Sequence, residues 1–281
     1  MALTADAFFS QSAEDIDPAT EAAFYGMLKM RNGTFKLTRA SRFAEIEEAF
    51  GRIFTEKAGK IHSVLDVGVS TGITTLEFAD FLQSRGSLAR ITATDLYIQA
   101  HIVQPFRELR VLADPKGWPL QYDICGKGIR PWIRRLDYVT LAFVPRILAR
   151  AVLQNRVKAL IQKGESKPVQ LISKRLSGRS DISFIENDIL TRSPELSHRF
   201  DLVRAANILN RNYFSDQDIL RAVENIRSYL HDSAGLFLVT RTNAAQINAG
   251  TLFELDSRKS FKVLARVGTG SEIERLVLGD V

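Results

Sequence analysis

Cysteine is almost missing from this chain. Cys125 is the only one among 281 residues, so no intramolecular disulfide can form, and the chain suits a reducing compartment. Long apolar runs are missing too, and no stretch approaches the roughly 18 residues that span a bilayer. The segment from Met1 to Asp17 is acidic rather than basic and lacks an apolar centre, so it is not expected to act as a secretory signal. Internal repeats and low-complexity tracts are also absent, which removes repeat architectures from consideration. What is present is a globular composition, with 45% of residues hydrophobic, on a length sufficient for one large domain or two small ones.

The net charge is +6, and it is unevenly spread. Between His101 and Ser180 sixteen Lys/Arg stand against five Asp/Glu, a net +11, which leaves the rest of the chain at −5. One segment therefore carries the basic character.

Hydrophobic periodicity alternates between strand and helix. Residues 1–20 read as a polar lead, Pro18 to Met30 as a helix, and Arg31-Asn-Gly-Thr34 as a turn. Phe43, Ile46, Phe50, Ile53 and Phe54 form a helical stripe across 41–57, with Glu45, Glu47 and Glu48 off it. Strands are expected at 63–67, 89–94, 182–186, 200–205 and 235–241, and helices at 71–84 and 217–230. Segments 261–267 and 272–278 flank Gly268-Thr-Gly-Ser271 and read as a hairpin rather than a phosphate loop. This order predicts an α/β fold: a mostly parallel central sheet, helices on both faces and a C-terminal antiparallel hairpin. An N-terminal helical region would occupy 1–60 and the main domain 61–281. The gap between the second and third strands far exceeds one crossover. Its stretch 132–160 mixes apolar residues with arginines at helical spacing, so an inserted basic helical subdomain is expected at about 97–180, with Pro145 kinking or dividing its helix.

The richest segment is Val64-Leu-Asp-Val-Gly-Val-Ser-Thr-Gly72, a buried strand entering a glycine turn ahead of a helix. A dinucleotide loop would need glycine where Ser70 and Ile73 stand. A nucleophile elbow is formally complete as G-x-S-x-G with Ser70 at its apex, with His101, His198 and His231 following in the chain. A hydrolase of that kind needs several strands before the elbow, and here the turn follows the first strand of the sheet. An adenosyl-cofactor loop agrees best with the surroundings. Asp66 precedes Gly68, Asp95 ends the next strand, Asn187-Asp188 follows the third and Asn207 the fourth. All fall at carboxyl ends of parallel strands, where open α/β sheets bind ligands.

With Ala-Thr-Asp-Leu (93–96), Phe-Ile-Glu-Asn-Asp-Ile-Leu (184–190) and Phe-Asp-Leu-Val-Arg-Ala-Ala-Asn-Ile-Leu (200–209), this segment resembles the class I S-adenosylmethionine-dependent methyltransferases over residues 60–281. Phe200–Leu209 with Asn212-Tyr-Phe214 is similar in part to the chemotaxis-receptor methyltransferases, which carry Arg-Asn where this chain has Ala206-Asn207. The resemblance implies a Rossmann-like fold and S-adenosyl-L-methionine as cofactor. It implies a cofactor site of Asp66, Gly68, Ser70, Gly72, Asp95, Leu96, Asn187, Asp188, Ile189 and Asn207, with Asp95 on the ribose, Asp188 on the adenine and Asn207 at the methionine end. Ser70 departs from the family's usual glycine. The expected acceptor is a small or lipid-like molecule, and the expected location is cytoplasmic. A non-catalytic binding module on the same fold and a serine hydrolase using Ser70 stand as alternatives. The basic insertion reads as a lid, a site for an anionic substrate or a peripheral membrane contact; no nucleic-acid motif accompanies its charge.

Overall fold

The computed structural model describes residues 3–36, 38–231, 234–243 and 245–280. The extreme ends of the expected N-terminal region and main domain, Met1, Ala2 and Val281, lie outside the described residues, as do Leu37, Asp232, Ser233 and Ala244. Two compact units divide the chain. The first joins Met1–Thr38 with Tyr97–Ser177, and the second joins Arg39–Leu96 with Gly178–Val281.

The chain opens with α1 (Ala5–Ser10) and α2 (Pro18–Gly26), followed by α3 (Ala44–Ala49), α4 (Gly51–Lys57), β1 (Ser63–Val67), α5 (Ile73–Ser84) and β2 (Arg90–Asp95). The insertion carries β3 (Gln99–Phe106), β4 (Leu109–Ala113), β5 (Pro119–Ile124), β6 (Lys127–Ile129), α6 (Arg135–Val139), α7 (Phe143–Gln162) and β7 (Lys167–Gln170). The chain then returns through β8 (Ile182–Glu186), β9 (Leu202–Ala206), α8 (Asp216–Tyr229), β10 (Leu236–Thr242), β11 (Asn248–Leu255), β12 (Phe261–Val267) and α9 (Glu274–Leu278).

The second unit is a doubly wound α/β body. Its seven-stranded sheet runs β12-β11-β10-β9-β1-β2-β8. The five strands from β8 to β10 are parallel, and their order, third-second-first-fourth-fifth along the chain, is the Rossmann-like one. On one face Leu65, Val67, Val203, Phe237 and Phe253 pack against Ile219, Val223 and Ile226 of α8. Strand alternation turns Val64, Asp66 and Arg204 to the other face. There the Arg204 guanidinium lies over the rings of Phe78, from α5, and Phe43, just before α3.

Three details of this unit differ from the sequence reading. The stripe over 41–57 is broken into α3 and α4 at Phe50–Gly51, and Glu47 is buried rather than solvated. The C-terminal antiparallel hairpin exists, but β11 and β12 form it. Segment 272–278 is not its second arm; it holds α9, whose Leu276 and Val277 join the core.

In the first unit the largest correction concerns the insertion, which is not mainly helical. It holds an antiparallel sheet of order β6-β5-β4-β3-β7. Phe8, Phe24 and Tyr25 of α1 and α2 cover Ala100, Ile102 and Leu112 on one face, while Leu153 and Val157 of α7 cover Val103 and Val111 on the other. The expected polar lead therefore contains α1, with Phe8 fully buried. Pro145 does not divide α7, because it falls in the first turn, where no intrahelical N–H bond is lost.

Candidate functional site

Strand register gathers the expected residues of the second unit along one sheet edge. Val67 pairs with Thr94 and with Ala205, so Gly68, Asp95 and Ala206 fall one step further at the same level. Asp95 pairs in turn with Glu186 at the end of β8. The carboxyl ends of β1, β2, β8 and β9 thus present Gly68–Gly72, Asp95–Leu96, Asn187–Ile189 and Asn207 side by side. This is the crevice position at which open α/β sheets take ligands, next to the switch in strand order at β1.

The glycine turn is fixed by backbone bonds. Gly68 and Val69 both donate to the Thr94 carbonyl, at 2.8 and 3.1 Å, and Gly72 donates to Val69. Three residues are left-handed, with φ of +72° at Gly68, +56° at Ser70 and +79° at Gly72. A Cβ on Gly68 would stand 2.8 Å from the Ile208 side chain, so the loop after β9 demands glycine there as much as the backbone angle does. Ser70 adopts a conformation costing a non-glycine residue roughly 1 kcal/mol. What holds it is Asp95, whose Oδ2 accepts the Ser70 N–H at 2.8 Å.

Asp66 takes a different position from the one expected. Its carboxylate is buried under the α3–α5 face, where Oδ2 accepts from Thr75 Oγ1 at 2.8 Å and from Arg204 Nη1 at 2.9 Å. Arg204 Nη2 donates to Glu47 Oε1 at 2.8 Å. Burial opposes the Arg204 charge, yet Asp66 and Glu47 together hold its pKa above the ordinary arginine value. Burial pushes the Glu47 carboxyl up, with Arg204 pulling the other way. The chain Glu47–Arg204–Asp66–Thr75 ties α3, β9, β1 and α5 together beneath the turn. A lone arginine inside the apolar run of β9 was the available signal for it.

The remaining positions sit just past the carboxyl ends of β2, β8 and β9. Asp188 Oδ1 accepts the Leu190 N–H at 3.0 Å, and its carboxylate is exposed. Asn187 N–H donates to the Asp95 carbonyl, and Ile189 is buried in the core. Leu96 is exposed. Asn207 is left-handed at φ +60°, and its Oδ1 accepts the Thr242 N–H at 3.2 Å. Arg42, which the sequence reading passed over, donates from Nε to Thr242 Oγ1 at 2.9 Å and so brings a cation beside Asn207.

The elbow reading loses its base within this unit. His62, His198 and His231 precede β1, β9 and β10, at the amino edge of the sheet. Ser70 follows β1 at the carboxyl edge, about 16 Å of strand away. His101 belongs to the first unit, where its Nδ1 lies 3.0 Å from Ser166 Oγ. Among the described residues no cluster of metal-ligating side chains occurs.

No family model matches the sequence, and no curated protein matches it. Solved structures give loose likenesses. CalS10, an amino pentose methyltransferase from Micromonospora echinaspora involved in calicheamicin biosynthesis, is 12% identical over 85% of this chain and 82% of that one, with a TM-score of 0.38. The N-methyltransferase NodS from Bradyrhizobium japonicum WM9 is 16% identical over 77% of this chain and 69% of that one, with a TM-score of 0.36. The CMeT domain of the citrinin polyketide synthase is 14% identical over 83% of this chain, with a TM-score of 0.37, and this chain spans only 42% of that structure's length. At such values the site stands on its own geometry.

Proposed function

We infer that the carboxyl edge of the second unit binds S-adenosyl-L-methionine, and that the protein is a methyltransferase acting on a small-molecule or lipid-like acceptor. The observation that carries this reading is Asp95, half-buried at the end of β2 with one oxygen locking the Ser70 turn. A carboxylate accepts several hydrogen bonds at once, so Asp95 can serve the turn and two ribose hydroxyls together. Asp188 offers a second acceptor for an adenine amino group. Ser70 and Ile73 stand where a dinucleotide loop would need glycine, which favours the adenosyl reading over a dinucleotide. Asp66 is assigned a supporting role, holding the turn through Thr75 and Arg204. The finer likeness to chemotaxis-receptor enzymes is not carried forward, because Ala206 stands where those enzymes carry arginine.

When bound, S-adenosylmethionine supplies a methyl group already activated by its sulfonium. The protein then contributes position and exclusion of water more than acid–base chemistry. Asn207, with Arg42 held beside it through Thr242, is the part of the edge we assign to the methionine end of the cofactor. Titration calorimetry with S-adenosylhomocysteine tests the reading. One molecule should bind per chain, and Asp95→Ala should weaken binding by about 10- to 100-fold, the value of roughly 1.5–3 kcal/mol for hydrogen bonds to a charged group. Folded wild type that takes up no ligand, or an Asp95→Ala variant of unchanged affinity, would overturn it.

A further inference from the structure

The first unit carries a surface that its own core does not explain. Helix α7 buries Leu153 and Val157 against the antiparallel sheet, but the opposite side of its first ten residues is apolar as well. Ile147, Leu148 and Val152 stand on that outer stripe, and Leu136, Val139 and Leu141 continue it through α6 and the turn before α7. These six side chains are between 42% and 80% exposed. A helix that is apolar on both sides is ordinarily covered on both, and a contiguous exposed apolar patch marks a contact site.

Charge around the patch has one sign. From Tyr138 to Gly164 the chain holds five Lys/Arg and no Asp/Glu. Arg134 and Arg135 are exposed at the start of the patch, and Arg156 is exposed one turn beyond Val152 on the same stripe. The single carboxylate nearby, Asp137, is buried and held by both Arg130 nitrogens, at 2.7 and 2.8 Å. Not every arginine of the segment is equally available: Arg146 is turned to Asp137, Arg150 is half-buried over the Trp118 ring, and Arg156 lies over the Phe106 ring while staying exposed.

We propose that the α6–α7 corner is a membrane-contact surface that seats its apolar stripe in a bilayer carrying anionic phospholipid. An apolar band edged by cations is the pattern of a helix lying in the headgroup plane. No described helix is long and apolar enough to cross a membrane, so α7 lies along the surface. A second copy is the poorer occupant. A symmetric pairing sets the same patch against itself, and this segment has no free carboxylate to meet the facing cations. Nucleic acid is poorer still, because the centre of the patch offers phosphates nothing but methyl and methylene groups.

Sedimentation with vesicles tests the proposal without reference to the cofactor site. Vesicles of phosphatidylcholine with about 30% phosphatidylserine should carry the protein down, and pure phosphatidylcholine should carry much less; raising salt to about 0.5 M should reduce binding. Leu148→Asp with Val152→Asp, and separately Arg135→Gln with Arg156→Gln, should each lower the partition coefficient about tenfold or more. All four side chains are exposed and the contact given up is the stacking of Arg156 on Phe106, worth about 0.5–1 kcal/mol, so the melting temperature should move little. Three results would overturn the proposal: no sedimentation with the anionic vesicles, equal binding to both compositions, or a concentration-dependent dimer that the two aspartates disperse. The salt dependence of the wild type keeps the test valid if a variant fails to fold.

Discussion

At the residue scale, the most consequential side chain is Arg204, one of the largest that the fold encloses completely. It satisfies two carboxylates from different elements, Asp66 on β1 and Glu47 on α3. A buried cluster of this kind adds little net stability over an apolar one, but breaking it is severe, because the stranded charges stay buried. Arg204→Met should therefore cost about 3–5 kcal/mol in urea unfolding at neutral pH. The deficit should shrink in acid, where Glu47, whose carboxyl burial already pushes up, takes up a proton and no longer needs a cation. A loss below about 1 kcal/mol would show that the cluster is not what anchors the turn. Asp66 was legible in the sequence as important, and its role was not. Spacing placed it two residues before Gly68, but only the fold turns it away from the crevice and under α5.

At the element scale, the inner parallel strands could be read from the sequence because both of their faces are covered, and β8, half-exposed at the sheet edge, from its β-branched and aromatic residues. β1 and β8 fall where the apolar runs put them, as does β12 of the antiparallel hairpin, and β2, β9 and β10 shift by one or two residues. Strands in antiparallel sheets were harder to see. β3 carries Gln99, His101, Gln104 and Pro105, and β11 begins Asn-Ala-Gly-Thr, so neither shows a clean run. A usable signal was present in Asp114-Pro-Lys-Gly117: Asp114 Oδ1 accepts the N–H groups of Lys116 and Trp118, and Gly117 is left-handed, making a hairpin turn between β4 and β5. The same difficulty explains 272–278, where Ile273, Leu276 and Val277 suit either a strand or a short helix. Tertiary bonds select the helix. Glu274 receives Arg266 from β12 at 2.7 Å and Thr251 from β11 at 2.9 Å, which fixes α9 against the hairpin. The Arg266 hydrogen bond outweighs burial and lowers the Glu274 pKa below the usual 4.5. A depressed carboxylate stabilises the fold above its unfolded pKa and loses that contribution as pH falls through the lower folded value. Glu274→Gln should accordingly lower the urea midpoint at pH 7 and make little difference at about pH 3. Equal deficits at both values would separate Glu274 from the ion pair.

At the scale of the whole molecule, the two units differ in how they store polar groups, and alkaline titration reads this out. Tyr25 of the first unit is buried, and its hydroxyl donates to the Ile172 carbonyl at 2.5 Å. Burial raises its pKa well above 10. Tyr122, in the same unit, is pushed up to about 12 by burial, with Arg150 and Arg146 opposing. Burial also raises Tyr229 in the second unit, against the Ser193 N–H that donates to its oxygen. The sign follows from the direction of these shifts. A folded pKa above the unfolded one leaves stability intact below pH 10 and removes it as pH rises through the folded value, near 12 for Tyr122. Two of the three tyrosines sit in the first unit, so its circular dichroism and hydrogen-exchange protection should fail first between pH 10 and 12. Of the six tyrosines, these three should hold back their phenolate absorbance at 295 nm at pH 11 and release it when urea is added. Tyr25→Phe should reduce the withheld absorbance by one residue, at a cost of about 1 kcal/mol for its lost hydrogen bond. A single step near pH 10 that accounts for every tyrosine would contradict the burial of these hydroxyls, and with it the packing of α2 against the antiparallel sheet.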